Sequence, residues 1–288
     1  MTTVDTAARP RSARGPLRQI TRIILYALLI AAAVAILIPF VWMVSASLKR
    51  NNEVFTIPVQ WIPQDFQWSN FADIWTQVPM ATYLRNTVFL SVTITFLQVL
   101  TGSFAAYGFA KIRFPGRDVL FFAYVATIAV PWQAYMIPQY IMMQKAGLTD
   151  TFFSLILLQA FGAFGVFLMR QYYLTIPEEL SEAARVDGLS EYGIWARIIL
   201  PLSKPALASL ALLTFVNTWN DYMGPFIYLT SNDLWTIQLG LRSFVGQFDA
   251  DYAMIMTGSV LSVLPILTIF LVGQRYFIQG IATSGMKG

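Results

Sequence analysis

A short polar run interrupts an otherwise apolar stretch late in the chain and offers groups that could do chemistry. Asn217 and Asp221 are four residues apart, so on a helix they would share one face, with Asn220 beside them. Amide and carboxylate groups bind sugars well, and the rings of Trp219 and Tyr222 could stack on the apolar face of a sugar. The run predicts either the lining of a solute path or a hydrogen-bond network between helices that holds two subunits together.

Other chemistry is excluded by the residue types that the chain lacks. It contains no Cys and no His, which excludes thiol nucleophiles, disulfides, Ser-His-Asp triads and the usual zinc sites. No second carboxylate in the apolar segments pairs with Asp221 for acid-base work. We therefore expect no catalytic residue and no metal site. A phosphate loop of the form G-x-x-x-x-G-K-S/T is also absent, so we expect the chain to bind no cofactor or ATP.

The elements that must position the polar run are those of a membrane protein. Of the 288 residues, 57% are hydrophobic and 12% are charged, against roughly a quarter charged in soluble domains. An apolar helix of about 20 residues crosses a bilayer. The sequence offers six such stretches, at 23–47, 87–110, 119–142, 152–172, 206–230 and 252–277. This predicts an all-α, polytopic membrane protein with six transmembrane helices. A carboxylate in mid-membrane costs about 2.5–3.5 kcal/mol, so Asp221 should have a partner.

The basic residues predict the orientation, because cytoplasmic loops next to spans are enriched in Lys and Arg. With both termini cytoplasmic, fourteen of the 19 basic residues lie on the inner side. They stand at the ends of apolar segments, which favours a lipid bilayer as partner and no nucleic acid. We divide the chain into a cytoplasmic tail (1–19), a first transmembrane helix with an external aromatic loop (20–82), and a core of five transmembrane helices (83–288). The core includes a cytoplasmic loop (174–204) and a cytoplasmic C-terminal tail.

Two further segments each leave two interpretations open. The external loop is rich in Phe and Trp, which favours either an interfacial segment lying on the membrane or part of a docking surface for an external partner. The third span contains Pro131 and Pro138. Each removes a backbone donor and should kink the helix. Such a helix either lines a water-filled cavity or only packs against its neighbours.

The loop at 174–204 carries the clearest local signals for structure. Pro177 suits the first position of a helix, and the acidic residues after it suit the positive end of the helix dipole. Gly188 can end that helix in the left-handed conformation, and Ser190 can cap a second helix. The second helix has an apolar stripe. On the first helix Leu180, Ala183 and Ala184 share a face, and the small alanines would let a partner approach closely. Two short helices with a turn at Gly188 are expected.

The same loop resembles a known family of transport proteins. It contains Glu182-Ala183-Ala184, then Gly188 six residues after Glu182, then Ile198-x-Leu200-Pro201. This pattern is similar to the EAA signature of the permease subunits of ABC importers. The whole chain resembles most closely the carbohydrate-uptake branch, and within it the smaller permease of maltose-type transporters. The run at 219–221 and the last six residues support the resemblance.

The resemblance implies a function and a set of partners. The chain would be the permease subunit of an ATP-driven, binding-protein-dependent importer of an oligosaccharide or a related polyol or glycerol phosphate, in a bacterial cell membrane. Its partners would be a second homologous permease, a dimer of ATP-binding subunits that holds ATP and Mg, and an extracytoplasmic substrate-binding protein. The alternatives are an ABC importer for a non-sugar solute, or an ion-coupled secondary transporter, which would need an intramembrane ion site and inverted repeats.

The resemblance also assigns roles to particular residues. Contact with the ATPase is expected at two sets of positions. The first set, in the loop, is Glu182, Ala183, Ala184, Asp187, Gly188, Leu200 and Pro201. The second set, in the C-terminal tail, is Thr283, Ser284, Gly285 and Lys287. In maltose-type importers most sugar contacts come from the larger permease, which favours the hydrogen-bond network for the polar run at 217–222.

Overall fold

The computed structural model describes residues 16–246 and 249–285, and the side chains of residues 19–246 and 249–274. Within these ranges the regular elements are helices, apart from one isolated β-bridge between Val245 and Ala250. The α-helices are α1 Pro16–Ser47, α2 Asn70–Gln77, α3 Met80–Lys111, α4 Arg117–Ala126, α5 Met136–Lys145, α6 Phe152–Gln159, α7 Ala163–Tyr173, α8 Glu178–Val186, α9 Glu191–Ile194, α10 Leu200–Leu202, α11 Lys204–Trp219, α12 Met223–Tyr228, α13 Ile237–Gly240 and α14 Tyr252–Gly285. The predicted all-α class is confirmed for the described residues.

Four helical segments of the described chain are long and apolar enough to cross a membrane. They are Gln19–Ser47, Met80–Lys111, Phe152–Tyr173 and Tyr252–Gln274. A fifth crossing is added if Glu191–Leu202 and Lys204–Trp219, which meet at an angle of 82°, are counted as one span. The prediction of six spans and of two cytoplasmic termini therefore stays a prediction.

The predicted third span is broken rather than kinked. Helix α4 ends at Ala126 and α5 begins at Met136, with short 3-10 turns at Thr127–Ala129 and Trp132–Ala134 between them. Pro131 causes the interruption, because it lacks an N–H and forces the residue before it out of the helical conformation. Val130 accordingly has extended angles, φ −85° and ψ 112°. Pro138 lies in the first turn of α5, where a missing N–H costs little.

The predicted fourth span is also interrupted, between α6 and α7. Two side chains of α3 bind the carbonyls that the break leaves free. The Gln98 amide nitrogen donates to the Gln159 carbonyl at 2.9 Å, and the Thr101 hydroxyl donates to the Ala160 carbonyl at 2.7 Å. Because lipid offers no hydrogen bonds, a break at membrane depth needs partners of this kind.

Helix α3 is the centre of the fold. It packs against α6, α7 and α11, and α11 packs in turn against α14. Glycines allow α3 and α7 to pack closely, since a Cβ on Gly102 would lie 3.4 Å from the backbone of Gly165 in α7. Helix α1 is peripheral: it packs against α14, and residues 19–41 are exposed.

The external loop is folded onto the ends of α1 and α14. The Asn70 side chain donates to the carbonyls of Ser47 and Lys49, both at 2.9 Å. Lys49 is only 1% exposed and lies over the Trp42 ring at 4.3 Å. Many of the loop's rings, such as Trp68 at 66% exposure, still face outward. Both interpretations of the aromatic loop therefore stay open.

Candidate functional site

The two short helices predicted for the loop at 174–204 are confirmed. Helix α8 begins at Glu178 and ends at Val186, so Pro177 flanks the helix one residue ahead of its predicted place. Gly188 has a φ of +82°, the left-handed conformation that makes the turn. The Ser190 hydroxyl accepts from the backbone N–H of Gly193 at 3.3 Å and caps α9 as expected.

The second helix of the loop continues into the next span through a wide turn. Helix α9 passes into one π-helical segment, Trp195–Ile199, then α10, and the chain bends by 82° before α11. The apolar stripe of this helix includes Ile194, Trp195 and Ile199, and it is buried, with Ile194 and Ile199 at 0% and Trp195 at 4% exposure. The ring of Trp195 lies roughly perpendicular to the Phe104 ring of α3, with the ring centroids 5.2 Å apart.

Glu191 connects the loop to α3. Its carboxylate accepts from the Tyr107 hydroxyl of α3 at 2.5 Å and from the Arg185 guanidinium of α8 at 2.7 Å. The hydrogen bond from Arg185 holds the pKa of the Glu191 carboxyl below its usual value, against a smaller opposing effect of burial, and Tyr107 lowers it further. The same bond raises the pKa of Arg185. Glu191 is therefore ionised at neutral pH and bridges two helices.

Lys111 makes a second connection between α3 and the loop. Its side chain is 4% exposed and donates to the Ile176 carbonyl at 2.7 Å and to Glu178 at 3.2 Å. Glu178 also pairs with Arg185 at 3.5 Å. We refer to Tyr107, Lys111, Glu178, Arg185 and Glu191 as the α3–α8 clamp. Because Tyr107 and Lys111 are four residues apart on one face of α3, the clamp holds both ends of α8.

The predicted ATPase-contact residues of the loop fall into two groups. Glu182 and Ala183 are exposed on α8, and Asp187 and Gly188 are exposed directly after its end. Ala184 is only 4% exposed and packs in the core with Ile194 and Trp195. The expectation that both alanines share an open face is therefore wrong, because the second one is covered by the chain itself.

The remaining predicted contact residues lie elsewhere. Leu200 is half-buried and Pro201 is exposed, both in α10 beyond the π-helical segment. In the C-terminal tail, Thr283, Ser284 and Gly285 form the end of α14, where the structure describes the backbone but not the side chains. Lys287 lies outside the described residues.

The polar run of the predicted fifth span is not on a continuous helix. Helix α11 ends at Trp219 and α12 begins at Met223. Asp221 lies in the break, where one carboxylate oxygen accepts from the Gly224 N–H at 3.0 Å and the other from the Gln159 side chain at 2.9 Å. The expectation that Asp221 has a partner is confirmed. The expectation that Asn217 shares its helical face is wrong, because the helix ends between them.

The other residues of the run point to different neighbours. Trp219 is 1% exposed and its indole N–H donates to the Ser262 carbonyl of α14 at 3.1 Å, so it belongs to the packed core and not to an open path. Asn220 is exposed and its side chain donates to the Val216 carbonyl at 2.9 Å. Asn217 is exposed too. Tyr222 is exposed and stacks on Phe226, with ring centroids 5.5 Å apart.

A cavity of about 350 Å³ lies where the three helix breaks meet. Its polar and aromatic lining includes Gln98, Trp132, Tyr135, Gln139, Gln159 and Asp221. We call it the polar cavity. Of the residues predicted for a solute path, only Asp221 lines it. The three glutamines were missed, although an amide side chain inside an apolar span is itself a signal for an inward-facing position.

Comparison with known proteins identifies relatives over most of the chain. The family model for the binding-protein-dependent transport system inner membrane component matches residues 98–283. The arabinooligosaccharides transport system permease protein AraQ of Halalkalibacterium halodurans is 34% identical, over 87% of this chain and 91% of that protein. The sn-glycerol-3-phosphate transport system permease protein UgpE of Pectobacterium atrosepticum is 32% identical, over 90% of this chain and 95% of that protein.

A solved structure has the same fold. It is a chain of a bacterial ABC transporter involved in the import of the acidic polysaccharide alginate. The TM-score is 0.80 at 27% sequence identity, and the match covers 94% of this chain and 100% of that chain.

Proposed function

Because the chain belongs to the family of binding-protein-dependent transport system inner membrane components, we propose that it is the permease subunit of an ATP-driven sugar importer. It is a multi-pass protein of the bacterial cell membrane, and its family consists of transport subunits rather than enzymes. Hydrolysis of ATP is the work of separate ATP-binding subunits, which bind ATP and Mg. An external binding protein delivers the solute, and a second homologous permease completes the path.

The observation that carries this proposal is the pairing of an exposed acidic helix with a buried attachment. Glu182 on α8 and Asp187 directly after its end are exposed on the outside of the chain, which leaves them free for a partner protein. On its other side, the α3–α8 clamp and the buried Trp195 join the loop to a spanning helix. A loop that only connected two spans would need neither feature.

The arrangement suits the transfer of movement from the ATPase to the membrane. The clamp holds α8 near its start through Lys111 and near its end through Glu191, so α8 cannot rotate freely against α3. Closure of the ATP-binding pair would shift α8 as a rigid body, and α3 would follow. Because α3 packs against α6, α7 and α11, this shift would open the path alternately to the two sides of the membrane.

Uptake measurements test this function directly. The chain is expressed in a strain lacking sugar uptake, with its neighbouring transport genes, and with or without the ATP-binding subunit. We expect accumulation of a radiolabelled sugar that needs the ATP-binding subunit and is inhibited by vanadate. Accumulation that persists without any ATP-binding subunit and responds to an ion gradient would contradict the proposal and favour a secondary transporter.

A further inference from the structure

The polar cavity has hydrogen-bonding groups that the fold does not use. The side-chain oxygen of Gln139 accepts from the Trp132 indole at 2.8 Å and from Tyr228 at 3.4 Å. Among the described residues, its amide nitrogen has no partner. The same holds for the Gln159 side-chain oxygen and the Tyr135 hydroxyl. Unused donors and acceptors that converge on one cavity are typical of a site for a polar ligand.

The size and the rings of the cavity suit one sugar unit. Its volume of about 350 Å³ lies near the lower end of the range for small-molecule sites, roughly 300–1,000 Å³, and leaves room for a single ring rather than an extended chain. Trp132 and Tyr135 supply aromatic surface against which the C–H face of a sugar can pack. The glutamines can donate to and accept from its hydroxyl groups.

The charge of the cavity disfavours an anion. Both carboxylate oxygens of Asp221 accept hydrogen bonds from N–H donors, as an ionised carboxylate does. The lining contains no Lys or Arg. Arg242 lies over the Phe226 ring of α12, 4.8 Å from its centroid, and is not part of the lining. A phosphate or uronate in the cavity would face a fixed negative charge in surroundings of low dielectric constant.

We propose that the polar cavity is a binding subsite for one uncharged sugar unit of the transported solute, and that Asp221 selects against anionic solutes. This rests on the proposed function and narrows it, because the relatives include permeases named for both neutral and anionic solutes. Gln139 and Gln159 contact the sugar hydroxyls, and Trp132 packs against the ring.

Weak binding to the purified complex is the direct test. The permease pair with its ATP-binding subunits, without the binding protein, is titrated with arabinotriose, lactose, sn-glycerol 3-phosphate and a guluronate trimer, and saturation-transfer NMR reports each Kd. The same preparations are reconstituted with the binding protein for ATP-driven uptake. The variants are Gln139→Ala and Asp221→Asn. Gln144→Ala is the matched control, since Gln144 lies exposed on the same helix α5.

We expect a neutral saccharide to bind, with a Kd that rises roughly tenfold in Gln139→Ala through the loss of its hydrogen bonds. The Kd in Gln144→Ala should stay within about twofold of the wild-type value, as for an exposed position away from the cavity. In Asp221→Asn, the preference for neutral over anionic solutes should fall. Should Asp221→Asn fail to fold, the comparison of Gln139→Ala with Gln144→Ala still tests the subsite.

The possible failures are distinguishable. If ATP-driven sugar uptake occurs but Gln139→Ala binds as tightly as Gln144→Ala, the subsite is overturned and the proposed function stands. Tighter binding of sn-glycerol 3-phosphate or the guluronate trimer than of either neutral saccharide overturns the selectivity. If no solute is taken up in an ATP-dependent manner, the proposed function itself fails.

Discussion

Glu191 is the residue on which the α3–α8 clamp depends most, because it is bonded to two helices at once. Its partners are Tyr107 at 2.5 Å and Arg185 at 2.7 Å. It is half-exposed, with 43% of its side chain open, so water screens its ion pair and the contribution to stability is small. Its importance should therefore appear in the coupling of ATP hydrolysis to uptake more than in the stability of the fold.

Replacing Glu191 by Gln is expected to separate these two effects. The variant should lose no more than about 1–2 kcal/mol of unfolding free energy, since one charge-assisted bond and one hydroxyl bond are weakened. ATP hydrolysis per sugar molecule taken up should rise, because α8 is less firmly attached to α3. Thermal unfolding in detergent and paired hydrolysis and uptake assays measure both. Asp73→Asn, on the external helix α2, is the control, and equal effects in the two variants would argue against the clamp.

The pH dependence of stability gives a further check on the ion pair between Glu191 and Arg185. The pKa of Glu191 is held below its ordinary value of 4.5, so the carboxyl stabilises the folded state fully above that value. This stabilisation is lost as the pH falls through the lower, folded-state pKa. The difference in melting temperature between the wild type and Glu191→Gln should be constant near neutral pH and shrink below about pH 4.5. A difference that grows with acidity would be inconsistent with the lowered pKa.

The turn at Gly188 sets the angle between the two helices of the loop. Its φ is +82°, and a Cβ there would meet nothing within 4 Å. Substitution therefore costs backbone strain and not space. We expect Gly188→Asn to be mild, Gly188→Ala to cost about 1–2 kcal/mol, and Gly188→Pro to abolish uptake because proline requires a φ near −65°. All three variants should still insert into the membrane, as measured by surface labelling. Normal uptake by the proline variant would contradict the role of the turn.

The break between α6 and α7 offers a matched pair of substitutions on α3. Thr101 donates to the Ala160 carbonyl at 2.7 Å, whereas the buried hydroxyl of Thr95 has no hydrogen-bond partner among the described residues. Thr101→Val should destabilise the protein by about 0.5–2 kcal/mol, because a free carbonyl loses its donor. Thr95→Val should be neutral or stabilising. Thermal unfolding of the two variants in the same detergent decides, and equal losses would show that the bond is not needed.

Structural features that depend on nearby residues were predictable from the sequence, and features that depend on contacts between distant segments were not. The loop helices were predictable, since Gly188 and Ser190 act within a few residues of their own position. The breaks at 160–162 and 220–222 were not predictable, because they depend on side chains far along the chain. Gln98 donates to a carbonyl at the first break, and Gln159 donates to Asp221 in the second. The burial of Trp219 could not be predicted for the same reason, because it depends on packing against α14, where the Ser262 carbonyl accepts the indole N–H.

At the scale of the whole molecule, α1 lies at the periphery of the fold and packs against α14. Residues 19–41 are exposed, and the family match begins only at residue 98. A span that faces lipid needs length and apolarity rather than a particular sequence. Replacing residues 19–38 with a Leu/Ala segment of equal length, while keeping Trp42 and Lys49, should leave ATP-driven uptake unchanged. Uptake by intact cells tests this, and its loss would mean that α1 contacts a partner subunit.

Helix α3 carries both the clamp and one wall of the polar cavity, so a movement at the clamp also moves that wall. Gln98 is nine residues from Tyr107, about 13 Å along the helix axis. A tilt of roughly 10° about Tyr107 would thus displace Gln98 by about 2 Å, enough to break a hydrogen bond. The effect must be reciprocal, since coupling free energies act in both directions. A sugar that holds the cavity together would resist the tilt, so that the ATPase would detect through α3 whether cargo is present before it hydrolyses ATP.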